Sequence, residues 1–160
     1  RRSPSQKSKN DLREVINHSV ELIQPLADKQ QIHLSAILPA EPAEANFDFN
    51  QLQQVVMNLI DNAVDASPAN QTVGIQLHPQ PVDNQWKIEI IDYGSGIEKS
   101  QLDVIFEPFY TSKEVGSGTG LGLSIVHGII EEHDGSIECQ SEPGAGTTMT
   151  VRIPTGRPPL

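Results

Sequence analysis

Four short stretches of the chain hold side chains whose type and spacing suit chemistry. Asn58 and Asn62 stand four positions apart inside an apolar run at helical spacing, which puts them about 40° apart around a helix and one turn from each other. An isolated asparagine in a helix is more often a solvated or capping residue than a ligand. A pair at the edge of a buried stripe has a second use: an amide oxygen is a hard, neutral ligand for Mg²⁺ that arrives already chelated by phosphates and water. Asp92-Tyr93-Gly94-Ser95-Gly96-Ile97 ends an apolar alternating segment. A carboxylate there can accept from the exocyclic amine of adenine, and the glycines let the backbone turn beside a flat base; alone, the same string also reads as a strand-to-helix turn. Gly116-Ser117-Gly118-Thr119-Gly120-Leu121-Gly122-Leu123 sets four glycines in seven residues before a helical pattern, giving free amides and a positive helix end for phosphates. It is not the dinucleotide fingerprint, which would need glycine at Leu121 or Leu123, nor a Walker loop, which needs a Gly-Lys pair. Phe106-Glu107-Pro108-Phe109-Tyr110 precedes Lys113. Its rings could clamp a lid and Lys113 could reach a phosphate, although Phe106 and Phe109 read first as packing under a loop.

These stretches need a scaffold, and the periodicity supplies one. Asp11 offers a capping box with Glu14, followed by Leu12, Val15, Ile16, Ser19, Leu22, Ile23 and Leu26 at helical spacing, with Pro25 weakening the last turn. Residues 31–38 alternate as a strand and 39–45 read as a loop. Asp48 or Asn50 caps the longest run, Leu52, Val55, Val56, Leu59, Ile60, Ala63 and Val64, which stops before Pro68. Strands are predicted over 72–78 and 85–92, a short helix over about 98–105, a helix from Leu121 ending near Gly135, and two closing strands over 136–141 and 147–154. Short turns between successive strands imply mostly antiparallel pairing within a mixed sheet, with helices stacked on one face: a two-layer α/β sandwich. Residues 1–10 read as a linker stub, 11–155 as one domain and 156–160 as a tail.

Composition narrows the function. At 160 residues the chain can bury a sizeable core. Its formal charge of -10 makes it a poor partner for a nucleic acid, and 4% aromatic content leaves little for a stacking platform. A polyanionic ligand must then be met by local donors, a helix end or a metal, against the global field. The single cysteine, Cys139, excludes an intrachain disulfide and fits a reducing, cytoplasmic compartment. No stretch approaches the roughly 20 apolar residues of a membrane span, and the chain, starting at Arg1, reads as a piece of something longer, with membrane association of the parent left open.

The order and spacing of the four stretches resemble the catalytic, ATP-binding domain of sensor histidine kinases, within the group shared with gyrase-type ATPases, heat-shock chaperones and mismatch-repair ATPases. The segment QLQQVVMNLIDNAVDA is similar to the N box, DYGSGI to the G1 box, FEPFYTSK to the F box and GSGTGLGLSIV to the G2 box. The F and G2 boxes look most like the nitrogen-regulator class. The likeness runs from about Asn10 to Pro154; Tyr93 stands where Asn is common, and Asp134 where Gly or Asn is frequent. It implies the Bergerat ATP fold, with ATP and Mg²⁺ as cofactors and Asn62 on the metal. Asp92 would meet adenine, Asn58 and Lys113 would be the catalytic positions, and residues 116–122 would close over the phosphates. Around the nucleotide it implies Asn58, Asn62, Asp65, Ala66, Asp92, Gly94, Gly96, Ile97, Phe106, Phe109, Tyr110, Thr111, Ser112 and Lys113. The set continues with Gly116, Ser117, Gly118, Thr119, Gly120, Leu121, Gly122, Leu123 and Thr148.

One position separates transfer from hydrolysis. A base that activates water must be ionisable, and the ATPase relatives carry Glu one turn before the metal Asn, where this chain has Asn58. The resemblance therefore implies phosphoryl transfer to a histidine, with a phosphoacceptor and dimerisation domain of the parent protein and a response regulator receiver as partners, and a homodimeric parent. The family's acceptor histidine is followed by an acidic residue and, a turn later, by proline. His18, His33, His78 and His127 lack the acidic neighbour, and His133-Asp134 runs into Gly135 and a strand. All five read as surface or packing residues. Two other readings stay open: a nucleotide-binding switch without catalysis, and a serine kinase of the anti-sigma type.

Overall fold

A computed structural model of the chain describes residues 4–107 and 122–156. Ser8–Asp11 (β1) pairs antiparallel with Glu44–Phe47 (β3) in a small separate ribbon. Between them run the helix Leu12–Lys29 (α1) and the strand His33–Ile37 (β2). The helix Phe49–Ala66 (α2) leads to the hairpin Thr72–Gln80 (β4) and Gln85–Asp92 (β5). The helix Gly122–Glu132 (α3) and the hairpin Ser136–Glu142 (β6) and Gly146–Pro154 (β7) close the chain.

The main sheet has the order β2-β4-β5-β7-β6. Its β4-β5, β5-β7 and β6-β7 pairs are antiparallel and β2-β4 is parallel, because the connection from β2 to β4 contains the whole of α2 and such a crossover brings the chain back in the same direction. The α/β sandwich with a mixed sheet is as the periodicity predicts. Ile88 and Ile90 of β5 and Met149, Val151 and Ile153 of β7 point into a core shared with Leu52, Val55, Val56, Leu59 and Ile60 of α2 and Val126, Ile129 and Ile130 of α3. The three helices pack side by side on this face.

Five expectations differ locally. Residues 8–10, expected in a linker, form β1, and residues 44–45, expected in a loop, open β3; the polar strand is held by its ladder and by Asn10 Nδ2 donating to the Phe47 carbonyl. The helix α1 continues through Pro25 to Lys29, its buried Ile23 and Ala27 anchoring the last turns while Pro25 faces solvent. Asp11 caps it by accepting from the N–H of Arg13, with Ala43 N–H as a second donor, instead of forming a box with Glu14. The short helix expected over 98–105 is one 3₁₀ turn, Lys99–Gln101, followed by turns: Glu98 provides no side-chain cap, and a segment this short does not nucleate a helix unaided.

Candidate nucleotide site

The helix α2 is long because its apolar stripe is unbroken and because the carboxylate of Asp48 accepts from Gln51 N–H at 3.0 Å, resolving the choice of cap against Asn50. Asn58 and Asn62 sit half-buried beside Leu59 and Ala63 of that stripe, and neither amide has a hydrogen-bond partner among the described residues. Asp65 and Ala66 are exposed at the helix end. There α2 meets the turn after β5: a side chain at Gly94 would collide with the Ala66 carbonyl, so only glycine lets the turn approach. Asn62 lies one helical turn, about 6 Å of rise, before Ala66, which brings the metal-ligating candidate and the adenine-reading candidate to one corner.

Asp92, at 6% exposure, is among the few buried polar residues. Its Oδ1 accepts from Gly94 N–H at 2.9 Å, and its carboxylate also takes the N–H of Thr147. Burial raises its pKa above the usual aspartate value, and the Gly94 and Thr147 bonds oppose that rise only in part. A buried carboxylate whose partners among the described residues are two amides keeps acceptor capacity for an incoming donor. Burial, and then the charge of Asp92, also push the nearby thiol of Cys139 up to about 11.

The turn after Asp92 is held by the β6-β7 hairpin. Gly144 N–H donates to the Ser95 carbonyl at 2.7 Å, Ile97 N–H donates to Ser141 Oγ at 2.8 Å, and Gly96 approaches the Glu142 backbone too closely for a side chain. Ile97 and Leu123 pack partly against the core, and Gly122 opens α3. Phe106 does the same and lies 5.7 Å from the ring of His127, a packing role.

Register distinguishes two neighbouring threonines. Thr147, not Thr148, is the cross-strand partner of Asp92, whereas Thr148 lies opposite Ile91, so Thr148 shares the sheet face away from the helices. The phase of β7 held the clue, since counting back by twos from Ile153, Val151 and Met149 reaches Thr147. The same step from Ile137 and Cys139 reaches Ser141. A cleft of about 500 Å³ opens at this end of the sheet, lined by Asp92, Ser141 and Thr147 together with Ile91, Gln140, Glu142 and Thr148 of the outer face, while Asn58 and Asn62 lie outside its lining. Phe109, Tyr110, Thr111, Ser112, Lys113, Gly116, Ser117, Gly118, Thr119, Gly120 and Leu121 lie outside the described residues.

Among the described residues no three His, Cys, Asp or Glu side chains cluster to hold a metal ion. A lone neutral amide oxygen such as that of Asn62 suits Mg²⁺ delivered with a nucleotide rather than a resident ion. No described helix is long and apolar enough to cross a membrane.

Residues 47–157 match the family described as histidine kinase-, DNA gyrase B-, and HSP90-like ATPase. The chain belongs to this family. The sensor histidine kinase ZraS of Escherichia coli (strain K12) is 37% identical over 144 residues, covering 90% of this chain and 30% of ZraS. The sensor kinase CckA of Brucella abortus (strain 2308) is 42% identical over 120 residues, covering 67% of this chain and 13% of CckA. The chain thus spans less than a third of either relative. Among solved structures, the catalytic domain of histidine kinase ThkA in a nucleotide-free form superposes with a TM-score of 0.84 at 28% identity, covering 94% of this chain and 97% of that one. The mycobacterial sensor histidine kinase MprB gives 0.83 at 26% identity, covering 97% and 100%. Within the histidine kinase-, DNA gyrase B-, and HSP90-like ATPase family, the chain is therefore an ATP-binding catalytic domain of the sensor histidine kinase kind.

Proposed function

We propose that this domain transfers the γ-phosphoryl group of ATP to a histidine on a separate phosphoacceptor and dimerisation domain of its parent protein, for relay to an aspartate of a response regulator. The observation that carries the reading is Asn58. It stands half-buried one turn before Asn62, so the position from which a hydrolytic relative would activate water holds an amide that cannot take a proton. A neutral imidazole needs no such base: its nitrogen forms the new bond to phosphorus as the bond from phosphorus to the ADP oxygen breaks. The domain's task is then to bind and orient.

In this reading Asp92 and the turn pinned to Ala66 hold the adenine, Asn62 donates its amide oxygen to Mg²⁺, and Lys113 with residues 116–122 meets the phosphates. When bound, Mg²⁺ neutralises phosphate charge that an acidic chain would otherwise repel. The histidines of the described residues lack the acceptor setting: His18 stands edge-on to Phe49, His33 and His78 lie in sheet strands, His127 is followed by Gly128 instead of an acidic residue, and His133 is buried.

Mixing the chain with a separately made acceptor-helix domain and γ-labelled ATP tests the reading. Acid-labile, base-stable label on a histidine of the added domain is expected. Label confined to serine, or none on a folded acceptor under conditions where ATP binds, would refute it.

A further inference from the structure

Ser141, at the end of β6, makes three contacts with one hydroxyl. Its Oγ lies 2.8 Å from Ile97 N, 2.9 Å from the Gly146 carbonyl and 2.8 Å from Thr147 Oγ1. A hydroxyl has one proton and two lone pairs. The Ile97 amide can only donate and the Gly146 carbonyl can only accept, so the Ser141 proton goes to Gly146 and one lone pair takes Ile97. The other lone pair then takes the proton of Thr147. This is the one arrangement that satisfies all three contacts, and it fixes the direction of the next hydroxyl: Thr147 donates to Ser141 and keeps only lone pairs for any further partner. Thr147 faces Asp92 across the strands. The pair therefore offers a ligand a carboxylate and a hydroxyl oxygen whose proton is already committed.

We propose that Ser141 is a positioning residue that sets the Thr147 hydroxyl as an acceptor, so that the Asp92–Thr147 pair selects a base presenting an amino group and rejects one presenting a carbonyl at the same edge. The inference rests on the ATP-binding reading above and deepens it. Without Ser141 the Thr147 hydroxyl is free to rotate and donate, which tolerates a 6-oxo purine as well as a 6-amino one. The turn itself keeps its backbone clamp from Gly144 N–H to the Ser95 carbonyl, so the effect falls on discrimination more than on folding.

The test measures dissociation constants of the 160-residue chain for Mg-ATP and the Mg-inosine triphosphate by calorimetry. In Ser141→Ala the ATP-over-inosine preference should fall about five- to tenfold, the scale of one hydrogen bond, and Ser141→Thr, which keeps the hydroxyl, should restore most of it. Thr147→Val should lose the same preference, and Ser141→Ala added to it should change the ratio no further. A uniform loss for both nucleotides in Ser141→Ala, or additive losses of preference in the double variant, would overturn the proposal. Wild-type chain that binds inosine triphosphate as tightly as ATP overturns it too, whereas wild-type chain that binds neither removes the ATP reading on which it stands.

Discussion

The amide of Asp48 donates to Nε2 of His133 at 3.1 Å across 85 positions of sequence, while Nδ1 of the same ring lies 2.8 Å from the Ile129 carbonyl. The carbonyl can only accept, so Nδ1 carries the proton and Nε2 is the acceptor, a neutral tautomer with both nitrogens engaged. The ring thereby ties the capping residue of α2 to the end of α3, far from the turn after β5.

His133→Ala should accordingly destabilise the domain by roughly 1–3 kcal/mol, because it strands the Asp48 amide and empties a buried site. Urea denaturation should show the loss while ATP affinity stays close to wild type. Loss of nucleotide binding at unchanged stability would assign His133 a different role.

Asp92→Asn should weaken ATP binding by about 1.5–3 kcal/mol, the worth of a hydrogen bond to a charged group. An inosine nucleotide, which lacks the amine, should lose much less. Equal losses in calorimetry would contradict the placement of adenine on Asp92.

Much of this was legible from sequence, and the misses share a physical cause. The stripe of α2 and the alternation of β5 are local periodicities, and they located Asn58, Asn62 and Asp92 without any tertiary information. Ser8–Asp11 has no apolar alternation to announce a strand, and it exists only because β3 is there to pair with it. Thr147 and Ser141 carry no signal as residue types. Their importance comes from register, which aligns one with Asp92 and sets the other against Ile97. Pro25 misled in the opposite sense, since packing of Ile23 and Ala27 outweighs the hydrogen bond that proline removes.

The carboxyls respond to pH in two directions. Partial burial of Asp48 raises its pKa, but the N–H groups of Gln6, Gln51 and Asn50 outweigh that and hold it low; at Asp11 burial is likewise outweighed by Arg13 and Ala43 N–H. Both contribute stability that is present above the ordinary aspartate value of about 3.9 and lost as pH falls through their lowered values. Asp92 is raised instead, so the folded chain binds its proton first, and stability gains as pH falls from that raised value toward the ordinary one. Asp48→Asn, which keeps a cap, should flatten the acid limb of a melting profile below about pH 4. ATP affinity should begin to fall at a pH above the ordinary aspartate range, and Asp92→Asn should remove that part of the profile.

The thiol of Cys139, held at about 11 by burial and the Asp92 charge, should resist alkylation at pH 8, where roughly one molecule in a thousand is thiolate. Unfolding in urea should restore ordinary reactivity. A rapidly modified thiol in the native chain would contradict the burial of that strand face.

Asn62→Ala should leave the fold nearly intact, since the side chain has no hydrogen-bond partner among the described residues, yet greatly reduce labelling of an added acceptor domain. A variant with full transfer activity would rule out Asn62 as the metal ligand.

The central claim, transfer without hydrolysis, is tested most directly by incubating the 160-residue chain alone with γ-labelled Mg-ATP and counting free phosphate and protein-bound label together. ATP should bind, but with Asn58 in place of a base and no acceptor histidine in reach, phosphate release and self-labelling should both stay at background. Steady phosphate release at the rate of a gyrase-type ATPase, abolished in Asn62→Ala, would contradict it.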